Sequence, residues 1–179
     1  MNENANAQVD INALFTFGYG LYIVGTAWEG RLNGQVADAV MQLTAEPICL
    51  AACLHRDNYT AELLAKSKKF SVSVFSEDVP LPFIGNFGFR SGREHDKYAN
   101  CKYEMGMLGV PLVTDHTVAV VEAELLDVTD VHTHRLFIGT VVSARLLNDK
   151  TPLTYANYHK IKKGKSHVNA PSAVFNTIR

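Results

Sequence analysis

Apolar and polar positions divide the chain into short extended runs. "KFSVSVFS" alternates strictly and predicts a strand with one buried face. "TVAVVEAELLDV" and "HRLFIGTVVSARLL" are longer alternating runs separated by the polar "TDVHT", the pattern of an antiparallel pair. "LYIVGT" is rich in apolar and β-branched residues and reads as a strand. "ICLAACLH" is apolar throughout, which suits a strand buried on both faces. "AWEGRLNG" carries two turn-type glycines and predicts a hairpin, "QVADAVMQLT" alternates imperfectly, and "GVPLV" is a short extended run.

Helical signals are few. In "NYTAELLAKS", Asn58 or Thr60 can cap a short helix whose apolar face is Leu63 and Leu64. "VPLPFIGNFGF" holds two prolines and two glycines and reads as a short irregular helix. Residues 1–10 are polar and predict a flexible arm. Residues 150–179 mix aromatics, lysines and prolines without a period and predict an irregular tail. About six strands and one or two short helices make a mostly β chain. Strands of this length and spacing close into a barrel or sandwich, and 1–179 reads as one antiparallel β-barrel domain.

Composition narrows the chemistry. With 179 residues, 47% hydrophobic and 20% charged, the chain holds enough apolar material for a core without metal or disulfides. Lys plus Arg number 17 against 18 for Asp plus Glu, so no global field draws it to nucleic acid or anionic lipid. Any anion site must be local. Cys49 and Cys53 would sit about 13 Å apart on one strand face, too far for a bridge. Together with Cys101 they read as reduced thiols. No basic patch leads into an apolar core near the start, and no run is long enough to span a bilayer. A cytoplasmic location is the expectation.

His132 and His134 form the only close histidine pair, too few ligands for a zinc site, and no metal is expected. GxSxG, GxxxxGK[ST] and GxGxxG are all missing. Three segments do suggest an anion pocket. "RLNGQVADA" offers Asn33 and Gly34, where backbone can approach a ligand closely. "HRDNYT" places Arg56, Asn58 and Thr60 ahead of a helix whose first amides attract phosphate. "FRSGREHDK" adds Ser91, Gly92, Arg93 and Lys97, able to wrap an anion. Each alone also fits a turn, a cap or a solvated loop.

Taken together, "YGLYIVGT", "LNGQVADAVMQLTAEP", "HRDNYTAELL", "FSVSVFSEDVPLPFIGNFGFRSGREHDKYA", "HRLFIGTVV" and "PLTYANYHKIKKGKS" resemble the flavin reductase-like, FMN-binding split-barrel family. Within it the chain is most similar to the NAD(P)H-linked flavoprotein domains that pair with rubredoxin in anaerobes. The resemblance implies a Greek-key split barrel, a homodimer, and FMN held at the subunit interface. It implies a flavin ring against Asn33, Gly34, Gln35, Val36, Ala37 and Asp38. It implies a phosphate near Arg56, Asn58 and Thr60 with Ser91 and Arg93 alongside, and Cys53 close by. His134 would face the flavin or the nicotinamide, and Trp28 could cover the flavin face.

Three positions depart from the family pattern. Cys53 stands where a hydroxyl is common, Asp38 where Asn or Ser is commoner, and His132 where glycine is expected. The implied reaction is hydride transfer from NAD(P)H to bound flavin, with electrons passing on to free flavin, ferric complexes or a rubredoxin-type carrier. Lys160, Lys162, Lys163 and Lys165 suit docking of an acidic carrier. Two alternatives stand beside this: an FMN electron shuttle reduced by a partner protein, and a non-catalytic split-barrel binding module.

Overall fold

The structure, a computed structural model, describes residues 9–173. Two residues at the first hairpin show how local sequence sets the architecture. Glu29 and Gly30 both have positive φ, the requirement of the tight turn that matches strand twist. This turn pairs β1 (Tyr22–Trp28) with β2 (Arg31–Ala37), and Gly25 faces Gly34 in the register. Gly34 is therefore mid-strand, not part of the turn. A Cβ there would meet the Tyr98 hydroxyl at 2.7 Å.

The remaining strands of the main sheet are β3 (Val40–Ala45), β4 (Ile48–His55), β5 (Lys69–Phe75), β8 (Thr117–Val131) and β9 (His134–Leu146). Their order is β2-β1-β5-β8-β9-β4-β3, all neighbours antiparallel. The two edge strands, β2 and β3, are joined by only Asp38 and Ala39. The sheet therefore curls so that its two edges come together at this connection without a ladder between them, and the Cys53 amide, donating to the Ala39 carbonyl at 2.9 Å, extends the β3–β4 pairing into it. This is the expected split barrel with a mostly β composition. A separate pair, β6 (Tyr103–Met105) with β7 (Pro111–Val113), lies beside it.

Burial follows the sequence periods. In β1, Ile23 packs into a cluster with Phe75, Ile84, Phe87 and Tyr98, while Val24 faces the opposite one with Leu54, Leu64, Phe70 and Phe137. Both faces of β1 are thus covered, which explains a continuous apolar run where alternation would otherwise appear. The α2 helix (Tyr59–Ser67) closes the second cluster with Ala61 and Leu64, and ends at Lys68 in the left-handed conformation. The α3 helix (Leu81–Gly88) covers the first cluster with Ile84 and Phe87.

Helix content corrects the expectation of one or two short helices. The described residues form four, adding α1 (Ile11–Phe15) and α4 (Tyr155–Lys160). Asp10, expected in the flexible arm, caps α1 through its side chain; residues 1–8 lie outside the described region. The irregular tail is also corrected. Its start runs beside β1 and β5, where Leu153 exchanges backbone hydrogen bonds with Leu21 and Phe75. Thr154 caps α4, whose Tyr155 and Tyr158 are buried. Residues 174–179 lie outside the described region.

Candidate functional site

Asp38 marks the point where the curled sheet closes, and a cavity of about 280 Å³ opens beside it. One wall is β2 and its end: Asn33, Gln35, Val36, Ala37 and Asp38. The end of β4 and the start of α2 contribute Cys53, His55, Asn58 and Thr60. The end of α3 and the loop after it contribute Phe87, Ser91, Arg93 and Lys97. Residues 165–171 pass over the cavity as a strap.

Thr60 and Asn33 are buried and joined, with the Asn33 side-chain amide donating to Thr60 Oγ1 at 2.9 Å. Gly92 lies against Asn33 so closely that a Cβ would fall 1.9 Å from Asn33 Oδ1. That contact fixes the Ser91–Arg93 loop against β2. Asn58 holds the N-cap position of α2 but does not bond the helix amides through its side chain; instead it accepts from Asn169 Nδ2 at 2.9 Å. The first-turn amides of α2 thus keep their capacity for an anion. Arg93 lies 4.5 Å over the Tyr59 ring and donates to Glu62 at 2.7 Å.

Three buried acceptors in the β2 wall have no partner among the described residues: Asn33 Oδ1, Gln35 Oε1 and Asp38 Oδ1. An unpaired buried acceptor costs about 1–3 kcal/mol. Three in one wall mark a surface built to meet donors from a ligand. Asp38 Oδ2 does have a partner, the hydroxyl of Ser172. The Lys97 ammonium is buried and donates to the carbonyls of Gly34 at 2.8 Å and Phe87 at 3.0 Å. Burial lowers its pKa to about 8. Burial pushes the Cys53 thiol up, with Asp38 adding to the shift.

Several expected site residues lie elsewhere. Arg56 is exposed and turned to the His132 carbonyl at the β8–β9 hairpin, because β4 has already ended and its side chain meets the neighbouring strand pair. Gly34 shows its carbonyl to Lys97 and does not line the cavity. His134 is also off the lining. It pairs with His55 in the register, their rings 5.1 Å apart, and its Nε2 donates to the Asn169 carbonyl of the strap at 3.1 Å. Burial lowers the His134 pKa, while the Asn169 carbonyl opposes the shift. Trp28 sits at the β1–β2 turn, away from the cavity. His132 adopts a positive φ, so the turn keeps the conformation that glycine would supply.

Residue reading missed His55, Phe87 and the strap with His167 and Asn169. A histidine ending an apolar strand beside "RDN" was a usable signal for His55. The strap carries none, because its contacts are set by the tertiary path. No group of three or more His, Cys, Asp or Glu able to hold a metal occurs among the described residues.

A profile of the family "Flavin reductase like domain" matches residues 14–163. The chain belongs to that family. It is thus a flavoprotein-type oxidoreductase domain. Among known proteins it is 46% identical over 158 residues to a ferric-chelate reductase (NAD(P)H) of Archaeoglobus fulgidus, a match covering 88% of this chain and 94% of that one. It is 43% identical over 164 residues to a high molecular weight rubredoxin of Moorella thermoacetica, covering 92% of this chain and 72% of that protein. Among solved structures, an FMN-binding protein from Thermus thermophilus with bound p-hydroxybenzaldehyde superposes with a TM-score of 0.69 at 28% identity, covering 81% of each chain. No helix among the described residues is long and apolar enough to cross a membrane.

Proposed function

We propose that the cavity binds FMN and that the protein passes reducing equivalents from NAD(P)H through it to a soluble acceptor. The observation that carries this reading is the division of the cavity into two chemistries. At one end lie hydroxyl and cationic donors, Thr60, Ser91 and Arg93, with the α2 amides. Along the other, β2 and its end present the unpartnered acceptors Gln35 Oε1 and Asp38 Oδ1, while Asn33 Oδ1 lies at the first end beside Thr60 and Gly92. A phosphate suits the first end, and the ribityl hydroxyls and ring N–H of a flavin supply donors for the second. When bound, the flavin supplies two-electron exchange with a nicotinamide and one-electron delivery onward.

The chain's own task is to position and shield. Asn33, held by Thr60, and Gln35 present acceptors from a rigid strand. Phe87 and Val36 give the cavity its apolar surface. The strap limits water entry over the same opening, and His134 acts on the site through Asn169. The 280 Å³ held by one copy is at the low end for ligand pockets, which suits a site completed by a second copy. The relatives' names support ferric complexes and a rubredoxin-type carrier as acceptors, with free flavin a third. The exposed Lys160, Lys163 and Lys165 flank the strap and suit an acidic carrier.

Replacing Ser91 and Arg93 together by alanine tests the phosphate end, since Thr60 also holds Asn33 in the β2 wall. FMN affinity should fall by about 10- to 100-fold while riboflavin affinity changes little, since each charge-assisted bond contributes about 1.5–3 kcal/mol. Equal loss for both ligands refutes this placement. Anaerobic mixing with NADH and NADPH tests the donor: rapid bleaching is expected with at least one. A shuttle reduced only by another protein would stay yellow.

A further inference from the structure

Six Asp, Lys and Arg side chains line the cavity, and only two of them are buried: Asp38 at 3% exposure and Lys97 at 5%. The others are exposed, and two have partners outside the cavity, Arg93 with Glu62 and Arg90 with His95. Asp38 and Lys97 form no ion pair with each other or with any other described residue.

Lys97 is held firmly in place. Its own carbonyl accepts from the Asn86 side chain at 2.7 Å, and Tyr98 beside it is buried under β2. The ammonium spans two walls of the cavity, taking one carbonyl from β2 and one from the end of α3, where the helix dipole favours a cation. Those two bonds use two of its three N–H groups. A fixed cation in a poorly hydrated wall acts on a neighbouring charge far more strongly than an exposed arginine does.

We propose that Lys97 sets the charge balance of the cavity, favouring an occupant that gains negative charge there, so that it makes the bound flavin easier to reduce. This rests on the flavin reading above and adds a role to that site. Lys97 differs from the phosphate donors: Ser91 and Arg93 are exposed and Thr60 is a neutral hydroxyl, whereas Lys97 is a buried cation bonded to the β2 backbone. Its effect is on the difference between oxidised and reduced occupant, not on how tightly the phosphate is held.

The test compares wild type with Lys97→Met, Lys97→Gln and Lys97→Arg. It measures affinity for FMN and for riboflavin, and the midpoint potential of bound FMN by anaerobic titration against a reference dye. Met and Gln should keep oxidised-FMN affinity within about threefold, while the preference for reduced over oxidised flavin falls at least about tenfold. For a two-electron couple that is a potential about 30 mV lower. Arg should restore most of the preference. A wild-type potential in FMN-loaded Met or Gln variants overturns the proposal. So does selective loss of FMN over riboflavin with the potential unchanged, which would make Lys97 a phosphate ligand. Should the neutral variants not fold, wild type alone decides: its bound couple must lie above that of free FMN, and a lower value overturns the idea. Wild type that binds neither flavin refutes the flavin reading and this inference together, whereas an FMN-loaded variant with unchanged potential refutes the inference alone.

Discussion

Lys97 also shows how one residue ties the site to stability. Its pKa falls from 10.5 to about 8 because burial disfavours the ammonium. Below pH 8 the folded protein bears the full desolvation cost; between about 8 and 10.5 the folded form releases its proton first and the cost is relieved. Linkage over that window is worth about 3 kcal/mol. Denaturant unfolding of wild type and Lys97→Met should therefore show wild type gaining on the variant by roughly that amount from pH 7.5 to 10, with tyrosine and thiol titrations cancelling in the comparison. A difference that stays flat with pH would contradict it. The sequence showed Lys97 only as one more cation in a basic loop, because nothing in "REHDKYA" tells which side chain turns inward. That Thr60, Asn58, Ser91 and Arg93 would share one cavity was legible, since hydroxyls and amides before a helix and around a glycine carry their chemistry locally. Arg56 and His134, expected at the site, do not line this chain's cavity. Both are claimed by partners far along the chain, the His132 and Asn169 carbonyls.

At the scale of elements, the strap is the piece with most influence on the site and least trace in the sequence. It is held by the Tyr158 hydroxyl, which donates to the Lys165 carbonyl at 2.9 Å, and by the bonds of Asn169 to Asn58 and His134, and of Ser172 to Asp38. Tyr158→Phe removes one fastener outside the binding wall's polar row. FMN should dissociate several-fold faster, with Tm lowered by no more than about 4 °C, the effect of about 1 kcal/mol in a chain this size. Unchanged dissociation would show that the strap does not hold the ligand. Most main-sheet strands were legible from their periods, as were α2 and α3, but nine strands stand among the described residues where about six were expected: β6 was not read, and "QVADAVMQLT" runs across the end of β2 into β3. The α4 helix escaped because six residues span under two turns and cannot display a period. Its stability comes from burying Tyr155 and Tyr158, a tertiary effect.

For the whole molecule, β3 presents an apolar edge. This edge strand exposes Met41 at 60% and Leu43 at 40%, and Ile48 across the turn is 49% exposed. An apolar edge strand with unpaired backbone groups is a poor surface to leave in water. A second copy would cover it and, on the reading proposed above, add to a cavity that is at the low end of ligand-pocket size in one chain. Light scattering should give about twice the 19.7 kDa chain mass, and Met41→Glu should shift it toward the monomer. A wild-type monomer at micromolar concentration would contradict the two-copy site. Strand spacing narrowed the class to a barrel or sandwich and the family resemblance implied the split barrel; the connection at Asp38 was not legible, since it depends on which edges come together.

The most direct test is a crystal structure of the protein grown with excess FMN. The account predicts the flavin in this cavity, its phosphate beside Thr60 and Ser91 and its ring along Gln35 to Asp38. FMN bound elsewhere on the molecule, or a cavity that stays empty at saturating FMN, would contradict it.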